Sequence, residues 1–264
     1  MLRSFGTIRN GIERIMDSND VIANNMANIN TIGFKQSSIL FKDIREVEIQ
    51  KLQGKQEYDP LSTASKSAGT LSLGPEVSKM MIDFSQGDFI TTGNKLDFAI
   101  SGEGFFTVQG KNNEELYTRK GNFTIDSQGF LSTTDGQRVI NKDSNAPLRI
   151  EMQNKRPEDI LVTQDGTITF GKEKIGALKI SDFKDKTTLI PVDGAAFRNS
   201  DSTNGPTVAR NTNVMQGSLE TSNANSITTM LKSLESLRSY ESMSGAMQTT
   251  SDTLQKVVNQ VGRF

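Results

Sequence analysis

The chain contains no cysteine, no histidine and no tryptophan. Without cysteine there are no disulfides, thiolate metal sites or thiol nucleophiles. Without histidine, the commonest general base and metal ligand near neutral pH is missing. A catalyst would have to be assembled from carboxylates, Lys, Tyr or Ser, and no enzyme activity is expected. No run of about 18 apolar residues occurs, so no helix is expected to span a bilayer. The first residues, MLRSFGTIRNGIERIM, are charged throughout and lack an apolar stretch followed by a small-residue cleavage site, so a Sec signal peptide is not expected. The 30 basic and 31 acidic side chains nearly cancel, which points to neither nucleic acid nor direct membrane insertion. Hydrophobic content is 34 %, low for 264 residues that would all be globular, and suits parts that order in an assembly.

What is present is concentrated at the two ends. Leu2, Phe5, Ile8, Ile12, Ile15, Ile22, Met26 and Ile29 recur at spacings that favour one helical face, predicting a helix over about 2–28. Gly6 and Gly11 weaken it by roughly 1 kcal/mol each relative to Ala. Residues 224–262 carry a similar series: Ile227, Met230, Leu231, Leu234, Leu237, Met243, Met247, Leu254, Val257, Val258 and Val261, read as one stripe. The methionines that continue it are read as packing between helices rather than a ligand groove. Helices from opposite ends of the chain can pack together only if the middle returns to its start. Ser222–Ser226 supplies the N-cap of the closing helix.

From Val77 to about Val192 the pattern changes to short β-prone segments with turn residues between them. Candidate strands lie at 97–101, 104–109, 115–119, 122–126, 138–140, 160–163, 167–170 and 177–183, separated by Gln128-Gly129, Asp135-Gly136 and Asp165-Gly166 turns. This is an antiparallel β domain, one rolled sheet or a sandwich. Residues 36–52 read as helix or strand, 53–75 as a loop or arm, and 198–213 as a polar return loop. A fragment over 80–210 is expected to fold alone. The domain reading is therefore 1–35 with 222–264 as a terminal helical assembly domain, 36–80 as an extended linker or arm, 81–210 as the β domain and 211–221 as a return linker. The fold class is α+β.

Candidate chemistry is thin. Gly102-Glu103-Gly104 lacks the third glycine, the Lys-Ser/Thr and the helix of a phosphate loop, so it reads as a tight turn. Asp83, Asp88, Asp97, Asp126, Asp135 and Asp165 lie near turns, where carboxylates cap backbone N–H groups, and no calcium-loop pattern closes on a Glu. No metal or cofactor is expected. A carboxylate-based hydrolase would need two acids facing across a cleft, and the sequence supplies no such pair.

The least ordinary segment is asparagine-dense: Asp20-Val21-Ile22-Ala23-Asn24-Asn25-Met26-Ala27-Asn28-Ile29-Asn30-Thr31-Ile32-Gly33-Phe34-Lys35. Asn24, Asn25, Ala27, Asn28, Thr31, Gly33, Phe34 and Lys35 match the signature near the N-terminus of the bacterial flagellar rod and hook family, which this chain resembles. Similar stretches follow in the expected order: 84–87 with 96–100 and 102–106, 117–123 with Asp126 and Gly129, and 216–223. The resemblance implies a basal-body rod subunit of the FlgF/FlgG type, proximal or distal. It implies terminal helices paired as a coiled-coil-like, tube-forming domain around an export channel, with the β domain outside. It also implies passage through the flagellar type III export apparatus without processing, a periplasm-spanning position and torque transmission. The implied partners are copies of the chain, other rod and hook proteins and, in a Gram-negative cell, the P- and L-ring bushing proteins. A hook or hook-junction subunit and a soluble β-domain adaptor are the alternatives. The apolar residues of both terminal series are the expected assembly interface.

Overall fold

The computed structural model describes residues 2–43, 47–50, 67–71, 75–150, 159–171, 173–192, 195–209 and 212–261. The chain divides into two units. One comprises Met1–Asn24, Ser37–Met81 and Thr228–Phe264, and the other Asn25–Gln36 and Ile82–Ile227.

The second unit is built on antiparallel strands. Its largest sheet runs in the order Leu189–Val192, Ala196–Asn199, Glu115–Thr118, Phe105–Gln109, Arg138–Val139, Leu131–Thr133, Phe123–Ile125. Ile180–Asp182 pairs with both Phe105–Gln109 and Thr207–Val208. The two-residue period of a strand explains why this sheet carries two cores. Phe106, Val108 and Leu116 face a cluster with Phe98, Ile100, Phe123, Leu131, Val139, Leu148, Ile150 and Val214. Their neighbours Phe105 and Tyr117 face the other way, onto Phe183, Leu189 and Phe197, with Phe84 packed edge-on against Phe105 and Phe197. Gly129, Gly136 and Gly166 occupy the predicted turns at φ of 83°, 83° and 81°, which a side chain would resist. Ile160–Val162, Thr167–Phe170 and Glu173–Ala177 form a smaller meander.

Several expectations change here. Residues 211–221 are not a mere linker: Asn213–Gln216 pairs with Phe98–Ser101, and Ser218–Glu220 pairs with Phe89–Thr91. Both strands lie outside 80–210, so that fragment would leave Phe98–Ser101 without its partner. Within 36–52 the described residues form strands, Ser37–Asp43 and Val47–Gln50. The arm at 53–75 lies largely outside the described residues, apart from Ser67–Leu71, which pairs antiparallel with Val47–Gln50, and Pro75, where the strand Pro75–Ile82 begins.

The first unit contains both long helices, α1 (Leu2–Ala27) and α2 (Ser226–Val261), apart from the residues at their roots. No helix among the described residues is long and apolar enough to cross a membrane. The expected fold class, with the terminal helices paired as a coiled-coil-like, tube-forming domain, is corrected. The described residues form two α-helices, one near each end of the chain, with many antiparallel strands between them in sequence, and the α2 stripe that such pairing would cover is open. Ile227, Met230, Leu231, Leu234 and Leu237 are 50–70 % exposed, while Thr229 and Ser236 on the same turns are buried.

The physical reason is that the α2 series is not one stripe. At 3.6 residues per turn each step advances about 100°. Ile227 through Leu237 therefore share one side, and Met243, Met247 and Leu254 lie nearly opposite. The latter three are half-buried, and the Met243 thioether lies so close to Gly11 of α1 that a Cβ there would meet it at 2.7 Å. Gly11 thus makes room for a packed side chain, whereas Gly6 faces open space.

Candidate functional site: a buried charge clasp at the helix roots

The last residues of α1 and the first of α2 belong to the β unit, and the segments that join them to it converge on one carboxylate. After α1 the chain turns through hydrogen bonds from Asn28 N to Asn25 O and from Thr31 N to Asn28 O, with the Thr31 hydroxyl donating to Asn28 Oδ1. Gly33 then adopts φ of 68° and donates its N–H to the Glu220 carbonyl at 2.9 Å. A Cβ at Gly33 would stand 2.5 Å from the Arg119 backbone, so both conformation and proximity require glycine. Lys35 follows, with its side chain fully enclosed.

Lys35 Nζ donates to Glu220 Oε1 and to the Ser85 carbonyl, each at 2.6 Å. The Gly87 N–H reaches the same carboxylate oxygen at 3.0 Å. Arg119 Nη1 takes Oε2 at 3.1 Å and also donates to the Ile100 carbonyl, while Nη2 donates to the Gly102 carbonyl at 2.7 Å. The guanidinium stands 5.3 Å from the Phe105 ring centroid, within cation–π range. Arg119 Nε is buried with no acceptor among the described residues. Two cations and one anion are thus enclosed together. Such a cluster is tolerable only because carbonyls and a backbone N–H satisfy the remaining valences. Burial pushes the Lys35 ammonium below its usual value; the Glu220 charge and hydrogen bond oppose this, and Arg119 adds to it.

Asn223 forms a second fastening. Its Oδ1 accepts from Gln36 N at 2.8 Å, and its Nδ2 donates to the Asp83 carbonyl at 2.8 Å. Its own N–H reaches the Phe34 carbonyl at 3.4 Å. Gly87 sits so close to Thr221 that a Cβ would lie 2.2 Å from its carbonyl oxygen. Gln86 bridges Ile100 O and Gly102 N.

Of the signature residues, Asn25, Gly33 and Lys35 are buried; Asn28, Thr31 and Phe34 are half-buried; Asn24 and Ala27 are exposed. Among the expected assembly residues on α1, Ile8, Ile12, Ile15 and Ile22 are half-buried and Met26 is 38 % exposed; the side chains of Leu2, Phe5 and Val261 lie outside the described residues. On α2, Leu254 is half-buried, whereas Val257 and Val258 are exposed. Sequence reasoning missed Glu220 as the partner of Lys35, and Arg119 and Gly87 as the further partners of Glu220. The one trace in the sequence was that each lies in a stretch resembling the family, which does not encode the contact.

A carboxylate whose oxygens are both occupied by fixed cations and an N–H holds segments together, which is a structural role for this site. Comparison gives the particular family. Residues 99–170 match the flagellar hook protein FlgE/F/G D1 domain, and residues 215–261 the flagellar basal body rod FlgEFG protein C-terminal region. The flagellar basal-body rod protein FlgF of Caulobacter vibrioides is 30 % identical over 251 residues, covering 93 % of this chain and 92 % of the relative. FlgG rod proteins of Agrobacterium fabrum and Bacillus subtilis are each 29 % identical, covering 98 % of this chain and 99 % of the relative. The chain belongs to the flagellar rod and hook family, as a basal-body rod structural protein of the FlgF/FlgG type. Its place is the flagellar basal body.

Proposed function

We propose that the subunit enters the rod through the apolar faces of its terminal helices, with copies of itself and other rod and hook proteins as neighbours. Residues 1–35 and 222–264 serve assembly, and the β domain over 81–210, closed by the strands Asn213–Gln216 and Ser218–Glu220, forms the body. The observation that carries this reading is the outer face of α2, where Ile227, Met230, Leu231, Leu234 and Leu237 stand open on the side opposite small buried polar residues. A patch of that kind on a soluble chain marks an interaction surface. Leu2, Phe5, Ile8, Ile12, Ile15, Ile22 and Met26 of α1, with Leu254, Val257, Val258 and Val261 of α2, complete the interface. The subunit passes through the flagellar type III export apparatus unprocessed, takes a periplasm-spanning position within any P- and L-rings, and transmits torque without catalysing a reaction.

The test replaces two exposed residues together, Leu231→Asp and Leu234→Asp. Surface substitutions of this kind change stability by less than about 0.5 kcal/mol, so melting should match the parent. Each loses roughly 1.5–3 kcal/mol of side-chain burial in the assembly, so the variant should be missing from isolated basal bodies. Parent-like incorporation would remove this face from the interface.

A further inference from the structure

The segment between α1 and the β strands is weakly held by apolar contact. Ile29, Ile32 and Phe34 are only half-buried, and its backbone is fixed to the return segment by the Gly33 to Glu220 bond and the paired contacts of Asn223. Apolar burial is non-directional and does not by itself fix register. The Lys35 to Glu220 contact adds side-chain direction to those backbone bonds, because one enclosed carboxylate receives Lys35 from the segment after α1, Gly87 from the loop before Phe89–Thr91, and Arg119 from the end of Glu115–Thr118. Glu220 itself lies just before α2 begins. Buried ion clusters can often be replaced by apolar side chains with little loss of stability, and in some proteins the buried polar groups serve to fix one arrangement rather than to stabilise it.

We infer that Glu220 is a positioning residue: it holds the root of α1 and the root of α2 at one fixed separation, so that every subunit offers both helices in the same geometry. The first half of this statement concerns the free chain, and the second rests on the assembly proposed above.

The absence of cysteine makes the test direct. Asn30→Cys and Ser226→Cys, both at exposed positions near the roots, accept two spin labels on the full-length chain. Pulsed electron spin resonance on dilute protein then reads their separation. The parent should give one narrow distribution. The triple variant Lys35→Met, Arg119→Met, Glu220→Leu should melt within about 4 °C of the parent, yet give a broader distribution and lose incorporation into basal bodies. Glu220→Asp, with the charge kept and the reach shortened, should fold and shift the mean separation. A folded triple variant with the parent's distribution would overturn the inference. Should the triple variant not fold, Glu220→Asp decides: a shifted separation upholds the inference and an unshifted one overturns it. Because the separation is read in the free chain, that failure leaves the outer face of α2 untouched. Normal incorporation of the Leu231→Asp, Leu234→Asp variant would instead overturn the assembly reading alone.

Discussion

Acidic residues at the turns of the β unit act as local fasteners. Asp126 accepts from the Phe130 and Gln128 N–H groups and pairs with Arg138 at 3.2 Å. Asp165 accepts from the Thr163 and Thr167 hydroxyls, and Asp201 from the Thr203 hydroxyl and N–H. The carboxyls of all three are held below the usual value of 3.8: Asp126 chiefly by the Phe130 N–H, Asp165 by the Thr163 hydroxyl, Asp201 by the Thr203 hydroxyl. Burial works against the charged form of Asp83, but hydrogen bonds from Ser85 and Gln36 outweigh it and also leave that group low. A folded-state value below the unfolded one means that the unfolded chain binds more protons in this range. The contribution is complete above pH 3.8 and is lost as pH falls through the folded-state values. Melting temperature should therefore drop below about pH 4. In Asp165→Asn the drop should be shallower, as thermal melts across a pH series would reveal.

At the scale of an element, the two glycines of α1 make a controlled comparison. Both sit inside a helix, where Ala is better by about 1 kcal/mol. Gly6 faces open space, whereas Gly11 lies against Met243. Gly6→Ala should raise the helical content and stability of α1 by close to that amount. Gly11→Ala should gain less, because the Met243 side chain must shift to admit the methyl group, although a thioether is flexible enough to move. Circular dichroism of the two variants across a temperature ramp measures the difference. Equal gains would mean that the Met243 contact carries no packing energy.

For the whole molecule, the β unit closes only when the chain returns. Phe98–Ser101 finds its partner in Asn213–Gln216, and Val214 joins the same apolar core as Phe98 and Ile100. A fragment over 80–210 should therefore lack a cooperative melting transition, whereas one extended to include 25–36 and 211–227 should regain it. Amide dispersion in NMR spectra of the two fragments separates the outcomes. The same closure explains why residues far apart in sequence, Gly33, Lys35, Ser85, Gly87, Ile100, Gly102 and Arg119, meet in one cluster with Glu220.

Local order alone made certain features legible. Helix periodicity near the ends, short β-prone runs such as 104–109, and turn glycines beside Asp or Gln all express backbone preferences that act within a few residues. The absence of cysteine and histidine likewise bounded the available chemistry without any coordinates. Where α2 places its two apolar sets was in principle legible too, since a helical step of about 100° already sets Leu231 and Met247 on different sides; reading them as one stripe overlooked that rotation. The partnership of Lys35, Arg119 and Glu220 was not legible. Nothing in the spacing of 35, 119 and 220 encodes contact, because ion pairs between distant segments are created when strand pairing brings those segments together. Tertiary structure alone decided that an apparent linker would become core strands and that a glutamate within it would fasten the roots of both helices.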